Sequence, residues 1–222
     1  MMLCVSLTEK SSKECVIFAS SCDVDMIEHR LDFMDQIEDL DLIYSSSEKP
    51  IIATCRPVHE GGRFMGDDSR RVDYLLEALQ SGASYIDIEL DTHPSLITSI
   101  RNQTKEIGAQ MIISKHYQGS PPLDTLTTAL DAMKSQGADI GKIVTTPNSI
   151  KDCWTALQLY TVETRGSMPL ISFAMGDLGK FTRVSALFLG APFMYVAQDS
   201  GAAAAPGQIP LSKMRAILEA LQ

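Results

Sequence analysis

The sequence lacks the features that mark nucleic-acid-binding and membrane proteins. Lysine and arginine total 19 against 28 aspartate and glutamate residues, which gives a formal net charge of -9. This acidic balance argues against nucleic acid or an anionic membrane as a partner, because both bind basic surfaces. No stretch approaches the roughly 18 apolar residues that a membrane-spanning helix needs. A small anionic substrate is still allowed, provided that a local group of cationic side chains binds it.

The cysteines show no pattern of disulfides or metal ligands. There are five of them, with no C-x-x-C pair and no metal-ligand spacing to histidine. An odd number with irregular spacing is typical of reduced, buried thiols in the cytoplasm. The amino terminus has no basic segment followed by a long apolar one, so we expect no signal peptide. We therefore predict a cytoplasmic protein without a metal site.

What the sequence does have is an alternation of short apolar and amphipathic segments. Segments rich in apolar and β-branched residues predict eight strands, at residues 3–7, 26–32, 50–56, 83–90, 109–115, 138–147, 169–175 and 192–197. Amphipathic segments predict helices near residues 14–20, 68–81, 95–106, 125–136, 150–162, 180–189 and 212–221. Glycines follow several of these helices, where the chain often needs a positive φ: Gly82, Gly108, Gly137, Gly166 and Gly190.

This alternation predicts the fold. Strands that alternate with helices are parallel and joined by right-handed crossovers. Eight such units that close on themselves form a (β/α)8 TIM barrel. Because no linker or break in composition interrupts the chain, we predict a single α/β domain over residues 1–222. An open doubly wound sheet is the alternative, but no G-x-G-x-x-G follows the first strand to support a dinucleotide site.

Lys142 is the unusual residue of the sixth strand. It lies among Ile140, Ile143 and Val144, and lysine is rarely buried unless it is paired or has a function. One explanation is that the strand lies at an edge and the side chain reaches solvent. The other is that the amine points into an active site, where desolvation and neighbouring cations favour its neutral, nucleophilic form.

Polar side chains gather where the predicted strands end, which is where the active sites of such barrels lie. Each has a plainer explanation on its own: His116 suits a surface position, Glu28 and Arg30 suit an internal ion pair, and Arg183 suits a solvated helix. Asp87 and Glu89 alternate with apolar residues, so one of them is a candidate to point inward. The whole set is too large for coincidence: Ser6, Glu28, Arg30, Arg56, Glu60, His116, Lys142, Arg183 and Gln208.

The combined pattern resembles the type I 3-dehydroquinate dehydratases, the Schiff-base-forming enzymes of the shikimate pathway. The matching segments follow the order of that family along nearly the whole chain: Val5-Ser6-Leu7, Glu28-His29-Arg30-Leu31-Asp32, Thr54-Cys55-Arg56, Glu60-Gly61-Gly62, Ser114-Lys115-His116, Lys142-Ile143 and Ala205-Pro206-Gly207-Gln208-Ile209. The resemblance implies a (β/α)8 barrel that dehydrates 3-dehydroquinate to 3-dehydroshikimate without a metal or an organic cofactor. It also implies a homodimer, because homodimers are common in this family.

The resemblance also implies roles for individual residues. Lys142 forms an imine with the substrate ketone, His116 moves the protons, and Glu60 orients His116. The substrate-binding positions are Ser6, Glu28, His29, Arg30, Arg56, Arg183 and Gln208, with Arg183 as the carboxylate clamp. These roles agree with general chemistry, because an imine acidifies the adjacent C–H bond and histidine transfers protons near neutral pH.

One position departs from the family pattern. The family usually has a serine four residues before Gln208, whereas this chain has Ala204 within the loop Gly201 to Gln208. We expect the absence of this hydroxyl group to weaken substrate binding and the closure of the loop, while the imine chemistry is kept.

Two other functions remain open. A class I aldolase also uses a strand lysine, but it commonly has a phosphate-binding glycine-rich turn, and the turn predicted at Gly176 to Lys180 contains Asp177. A non-catalytic barrel that serves as a binding module predicts damaged catalytic positions, whereas Lys142, His116 and Glu60 are all present.

Overall fold

Eight strands alternate with eight α-helices in the computed structural model, which describes residues 1–162, 168–200 and 203–221. The strands are β1 Met2–Leu7, β2 Met26–Arg30, β3 Ile51–Thr54, β4 Tyr85–Glu89, β5 Gln110–Tyr117, β6 Ile140–Thr145, β7 Leu170–Ala174 and β8 Phe193–Val196. The helices are α1 Ser12–Ser21, α2 Leu40–Ser45, α3 Asp68–Gln80, α4 Pro94–Ile107, α5 Leu123–Ser135, α6 Cys153–Gln158, α7 Gly176–Phe188 and α8 Leu211–Ala220. Gly166, Gly201 and Ala202 lie outside the described residues.

The strands form one parallel sheet that is nearly closed into a barrel. Its hydrogen-bonded order is β7-β6-β5-β4-β3-β2-β1-β8, and every neighbouring pair is parallel. Neighbours in sequence are thus neighbours in space, with β8 returning to β1, as a βα repeat that curls into a barrel requires. The predicted (β/α)8 TIM barrel is confirmed.

The register separates an apolar outer face of the strands from a polar inner one. Ala53 pairs with Ile86, and Ile88 pairs with Ile113, all on the face that packs against the helices. At Gly141 on this face, a Cβ would lie 2.9 Å from the Leu130 side chain of α5, so the helix packs directly on the strand. Residues of the other parity point into the barrel, because side chains alternate along a strand. The charged residues of the sheet are mostly of that inner parity.

Helices α1 and α3 begin with side-chain caps. Ser11 and Glu14 form a capping box at the start of α1, and Asp67 caps α3 by accepting a hydrogen bond from the backbone N–H of Arg70. Val72, Leu75 and Leu79 of α3 are buried against the sheet, as their spacing predicts.

Helix α2 was not predicted from the sequence, and β2, α6 and α7 differ from their predicted bounds. β2 ends at Arg30, and a single 3-10 turn follows it. The predicted helix at residues 150–162 is a six-residue α-helix with a 3-10 turn on either side. Helix α7 begins at Gly176, so the predicted turn from Gly176 to Lys180 is wrong: these residues are its first turn. Arg183 is therefore buried within the helix and does not lie at its start.

Candidate active site

A cavity of about 290 Å³ opens at the carboxyl ends of the strands. Eight of the ten predicted site residues line it: Glu28, Arg30, Arg56, Glu60, His116, Lys142, Arg183 and Gln208. They come from β2, β5, β6 and α7 and from the loops after β3 and β8. The sequence-based prediction of a site at the strand ends therefore agrees with the structure.

Lys142 is buried in this cavity. Its strand lies between β5 and β7, so it is not at an edge. Its side chain is only 5% exposed, and Nζ donates a hydrogen bond of 2.8 Å to Asp87 Oδ2. The ring of Tyr195 lies on another side of the ammonium, with 4.1 Å between Nζ and the ring centre. The explanation that Lys142 reaches solvent is wrong.

Asp87 and Glu89 both point inward, whereas the sequence analysis expected one of them to do so. They are two residues apart on β4 and therefore share a face. Arg56 bridges them, with Nη2 2.7 Å from Asp87 Oδ2 and Nη1 bound to Glu89, while Arg71 of α3 binds the other oxygen of Glu89. Ser114 donates a hydrogen bond of 2.5 Å to Asp87 Oδ1. The floor of the cavity is therefore a network of paired charges.

The pKa values of these two carboxyl groups move in opposite directions. Burial raises the pKa of Asp87, but the cations of Arg56 and Lys142 outweigh it and hold the pKa well below its usual range. Burial raises the pKa of Glu89 to about 7, although Arg56 and Arg71 oppose that rise. Asp87 is therefore the fixed negative charge that faces Lys142.

Glu60 orients His116. Glu60 Oε2 lies 2.9 Å from His116 Nδ1 and accepts the backbone N–H of the same residue at 3.1 Å. An ionised carboxylate only accepts hydrogen bonds, so Nδ1 carries the hydrogen and Nε2 keeps its lone pair. Burial raises the pKa of Glu60, but the hydrogen bond from His116 and the nearby cations lower it overall. Burial together with Arg56 lowers the pKa of His116 to about 4, so its imidazole is neutral at pH 7.

Ser6, Glu28 and Gln208 form a chain of hydrogen bonds at the cavity wall. Gln208 Nε2 donates to Ser6 Oγ at 3.0 Å, and Ser6 Oγ donates to Glu28 Oε2 at 2.7 Å. Thr54 donates to the other oxygen of Glu28 at 3.1 Å. The backbone N–H of Ala204 donates to Gln208 Oε1 at 3.0 Å. Ser6 thus lies behind Glu28 and Gln208 and links the loop after β8 to β2.

Arg30 and Arg183 both line the cavity but have different partners. Arg30 binds Asp32 through two parallel hydrogen bonds of 2.9 and 2.8 Å, so the internal ion pair between Glu28 and Arg30 that the sequence allows is not formed. Arg183 is 1% exposed, and no carboxylate among the described residues binds it. Within the same part of the chain its Nε and Nη1 have no hydrogen-bond partner, and Nη2 is 3.4 Å from the Pro206 carbonyl. Burial lowers the pKa of Arg183 to about 9, although Glu28 opposes that shift.

His29 does not reach the cavity. It has the opposite parity to Glu28 and Arg30, so its ring points outward to the helices. Its Nδ1 is 3.2 Å from Tyr44 OH of α2, and its Nε2 is 3.7 Å from Cys15 Sγ of α1. Burial lowers the pKa of His29 to about 3. The expectation that His29 contacts substrate is wrong, because neighbouring residues of one strand face opposite sides.

Two glycines hold the loops of the site. A Cβ at Gly62 would lie 2.0 Å from the carbonyl oxygen of Arg56, so only glycine allows the loop after β3 to fold back beside Glu60. Gly207 has a φ of +77°, and a Cβ there would lie 2.3 Å from the Gly176 carbonyl oxygen. The loop after β8 therefore packs on the start of α7 and brings Ala204 to Pro206 to the cavity wall.

Tyr195, Phe173 and Met175 complete the cavity and were not predicted from the sequence. The inward parity of Phe173 on β7 and of Tyr195 on β8 is the signal that identifies these two, and Met175 directly follows β7. Among the described residues, no group of three or more histidine, cysteine, aspartate or glutamate side chains is placed to hold a metal ion. The described residues also include no helix whose length and apolarity would suit a membrane span.

Comparison with known proteins places the chain in a family. Residues 3–222 match the family described as type I 3-dehydroquinase. The 3-dehydroquinate dehydratase of Desulfotalea psychrophila is 35% identical over 221 residues, covering 97% of this chain and 96% of that protein. The 3-dehydroquinate dehydratase of Pyrococcus abyssi is 33% identical over 222 residues, covering 99% of this chain and 98% of that protein. The crystal structure of 3-dehydroquinate dehydratase from Geobacillus kaustophilus has a TM-score of 0.88 at 27% identity, covering 100% of this chain and 91% of that one. The chain belongs to the type I 3-dehydroquinase family.

Proposed function

We propose that the cavity dehydrates 3-dehydroquinate to 3-dehydroshikimate through an imine on Lys142, with His116 as the general acid and base. The reaction is the one that the names of the related proteins state. It makes this protein a hydro-lyase of the shikimate pathway, which supplies aromatic amino acid biosynthesis. The observation that carries the proposal is the pairing of a buried amine with a neutral histidine in one cavity.

The chemistry follows from these two groups. Lys142 gives up a proton to His116 Nε2, and its amine attacks the ketone carbon. His116 returns this proton to the oxygen of the adduct, which leaves as water and gives a protonated imine. This imine withdraws electrons and acidifies the neighbouring C–H bond. The lone pair on His116 Nε2 takes that proton, and the resulting enamine expels the hydroxyl group one carbon further on. His116 returns the proton to the leaving hydroxyl, which departs as water, and hydrolysis of the imine restores Lys142.

Asp87 supports the nucleophile in this mechanism. Because its pKa stays well below its usual range, it remains a carboxylate and holds Nζ at 2.8 Å in the resting enzyme. Arg56 and Ser114 hold Asp87 in turn, at 2.7 and 2.5 Å. We propose that this network fixes the position of Nζ opposite His116, so that both groups reach one substrate.

The substrate carboxylate binds Arg183 in this proposal. A buried guanidinium with unused donors is a binding site for an anion, because arginine presents two parallel N–H groups to a carboxylate. Glu28 and Gln208 line the same wall and are proposed to bind substrate hydroxyls, with Ser6 behind them. Arg30 and Arg56 contribute positive charge at the cavity while their guanidinium groups stay bound to carboxylates.

The geometry gives less support to a sugar-phosphate aldolase. The first turn of α7, next to the cavity, contains Asp177, whose carboxylate lies 2.6 Å from Lys180 Nζ. A negative charge at a helix N-terminus disfavours a bound phosphate. A non-catalytic binding module is disfavoured because Lys142, His116 and Glu60 are all assembled in one cavity.

The test is trapping of the imine with borohydride. Intact-protein mass spectrometry after treatment with 3-dehydroquinate and borohydride is expected to show one reduced ligand, mapped by peptide analysis to Lys142. Lys142→Ala is expected to lose both the adduct and turnover, whereas the control Lys180→Ala, at an exposed helix position, keeps both. Turnover without an adduct would contradict the imine mechanism. Turnover of a sugar phosphate without turnover of 3-dehydroquinate would support the aldolase.

We also propose that the protein is a cytoplasmic homodimer. Helices α6 and α7 expose Trp154, Leu178 and Phe181 by 57, 41 and 39% of their surface, and the rings of Trp154 and Phe181 contact each other edge to face. An exposed aromatic patch of this kind is typical of protein interfaces. Light scattering is expected to give twice the monomer mass, and Trp154→Glu is expected to give the monomer. The five free thiols support the cytoplasm, which cell fractionation tests.

A further inference from the structure

Tyr195 has a buried hydroxyl group beside the nucleophile that no described residue satisfies. The residue is 3% exposed, and its hydroxyl oxygen makes no hydrogen bond within the described part of the chain. Its ring lies against the Lys142 ammonium at 4.1 Å and lines the cavity. On the side of the barrel floor, Phe193 contacts this ring at 5.4 Å between ring centres, and Tyr85 contacts Phe193 at 6.4 Å. Packing therefore fixes the ring, and the hydroxyl is the part that is left unsatisfied.

An unsatisfied hydroxyl in a buried position requires an explanation, because it gives up its hydrogen bonds to water. The nearby carboxylates of Glu28 and Asp87, whose negative charge raises the pKa of this hydroxyl, already accept hydrogen bonds from other residues. Glu28 accepts hydrogen bonds from Ser6 and Thr54, and Asp87 accepts them from Lys142 and Ser114 and pairs with Arg56. Burial, with Glu28 and Asp87 adding to it, raises the pKa of Tyr195 well above its ordinary value. The hydroxyl is thus a protonated donor at neutral pH.

We propose that the Tyr195 hydroxyl donates a hydrogen bond to the substrate oxygen on the carbon that Lys142 attacks. This inference rests on the proposed function. The attacked carbon is bonded to Nζ, which lies 4.1 Å from the centre of the Tyr195 ring, and Tyr195 lines the same cavity. We therefore infer that the oxygen on that carbon is within reach of the phenol. As the C–N bond forms, the C=O electron pair moves to this oxygen, which becomes a stronger acceptor. A fixed donor at that position stabilises the transition state more than the bound ketone.

The proton balance of the step does not change. The oxygen of the adduct takes its first proton from the nitrogen that has become positively charged by the attack. Its second proton comes from His116, which has received it from Lys142 before the attack, and the oxygen leaves as water while the C=N bond forms. Tyr195 keeps its proton throughout and acts only by hydrogen bonding. The same contact assists the reverse process, in which water attacks the imine to release the product.

The test is Tyr195→Phe, which removes one oxygen and keeps the ring. Wild-type and variant enzyme are mixed with saturating 3-dehydroquinate, quenched with borohydride at increasing times, and the adduct on Lys142 is measured by mass spectrometry. We expect about tenfold slower formation of the adduct in the variant. We also expect a change of less than about twofold in the Kd of quinate, the analogue without the ketone, and an unchanged or higher Tm.

Tyr85→Phe is the matched control, because Tyr85 belongs to the same aromatic column but lies at its far end from Lys142. We expect wild-type trapping kinetics for it. An unchanged trapping rate in Tyr195→Phe would overturn the proposal. So would a weaker Kd for quinate with normal trapping, which would mean that the hydrogen bond contributes to binding and not to the attack. A wild-type enzyme that forms no adduct would instead contradict the proposed function itself.

Discussion

Two arginines of the cavity, Arg56 and Arg183, are both buried but have opposite surroundings. Arg56 contacts two carboxylates and a serine hydroxyl, so its charge is fully compensated. Arg183 contacts the face of Phe173 and one carbonyl oxygen, and two of its nitrogens have no partner among the described residues. A compensated charge stabilises the folded protein and fixes its neighbours, whereas an uncompensated one is free to bind an anion. The two environments therefore predict a structural role for Arg56 and a substrate-binding role for Arg183.

Replacing Arg56 is expected to have the largest effect. Arg56→Met leaves Asp87 with Lys142 and Glu89 with Arg71 as their remaining cations, in a site with little access to water. We expect the free energy of unfolding to fall by about 3 kcal/mol, because removing one member of a buried ion pair exposes its partner to an apolar environment. Urea denaturation measures this change. A stability within about 0.5 kcal/mol of wild type, as for a surface substitution, would show that the network is not structural.

Arg183→Met is the matched substitution on the other side. We expect its free energy of unfolding to be unchanged or higher, because the variant no longer buries a cation without a carboxylate beside it. Its kcat/KM is expected to fall about 100-fold to 1000-fold, because charge-assisted hydrogen bonds to the substrate carboxylate are removed. Steady-state kinetics and urea denaturation of the same preparation separate the two effects. If Arg183→Met destabilised the protein as much as Arg56→Met, the comparison would fail.

The pH dependence of kcat/KM is expected to follow the protonation of His116, whose pKa is lowered by burial and by the Arg56 cation. The imidazole must be neutral to remove a proton, and burial with the Arg56 cation lowers its pKa to about 4. We therefore expect kcat/KM to stay constant as the pH falls below about 6 and to decline only near pH 4. Glu60→Gln removes the hydrogen-bonding carboxylate that raises this pKa, so the decline moves to still lower pH. The misoriented ring is expected to cost about 10-fold to 100-fold in kcat.

Glu60→Asp serves as the conservative variant, since it keeps the carboxylate and is expected to recover part of kcat.

The lowered pKa of His116 also makes the stability of the folded enzyme depend on pH. The pKa of His116 is lower in the folded than in the unfolded state, so the unfolded chain binds more protons between about pH 4 and 6.5. The contribution of His116 to stability is therefore complete above about pH 6.5 and decreases as the pH falls through this range. A kcat/KM that declines near pH 6.5 would show that His116 has an ordinary pKa in the free enzyme.

The barrel and most of the site could be predicted from the sequence, because both depend on local patterns. A strand ending in a charged or polar residue, repeated around the barrel, indicates the fold and the edge at which the site lies. His29 shows where the resemblance was misleading: the residue belongs to a matching segment, but the alternation of the strand turns it away from Glu28 and Arg30. The same alternation explains Asp87 and Glu89. They are two residues apart on one strand, so both point inward, although only one of them was expected to.

The partners of the charged residues could not be predicted. That Arg30 binds Asp32, and that Arg183 binds none of the described carboxylates, depends on the packing of loops and of α7, which sequence periodicity does not specify. The role of Tyr195 was missed for a similar reason, because an aromatic residue in a strand is usually a core residue. Its place beside Lys142 and its unsatisfied hydroxyl distinguish it from Phe193, and both depend on packing.

Ala204→Ser tests the substrate-binding side with the smallest change. Ala204 lines the cavity in the loop that reaches Arg183 through Pro206, and its backbone N–H is bound to Gln208. A serine hydroxyl at this position adds one donor at the cavity wall, so we expect a KM about two- to fivefold lower and an unchanged kcat. The control Ala203→Ser adds a hydroxyl to the preceding residue, which is exposed to solvent, and is expected to keep the wild-type KM. An unchanged KM in Ala204→Ser would mean that a hydroxyl group at this position makes no energetic contribution to binding, and that Arg183 alone binds this end of the substrate.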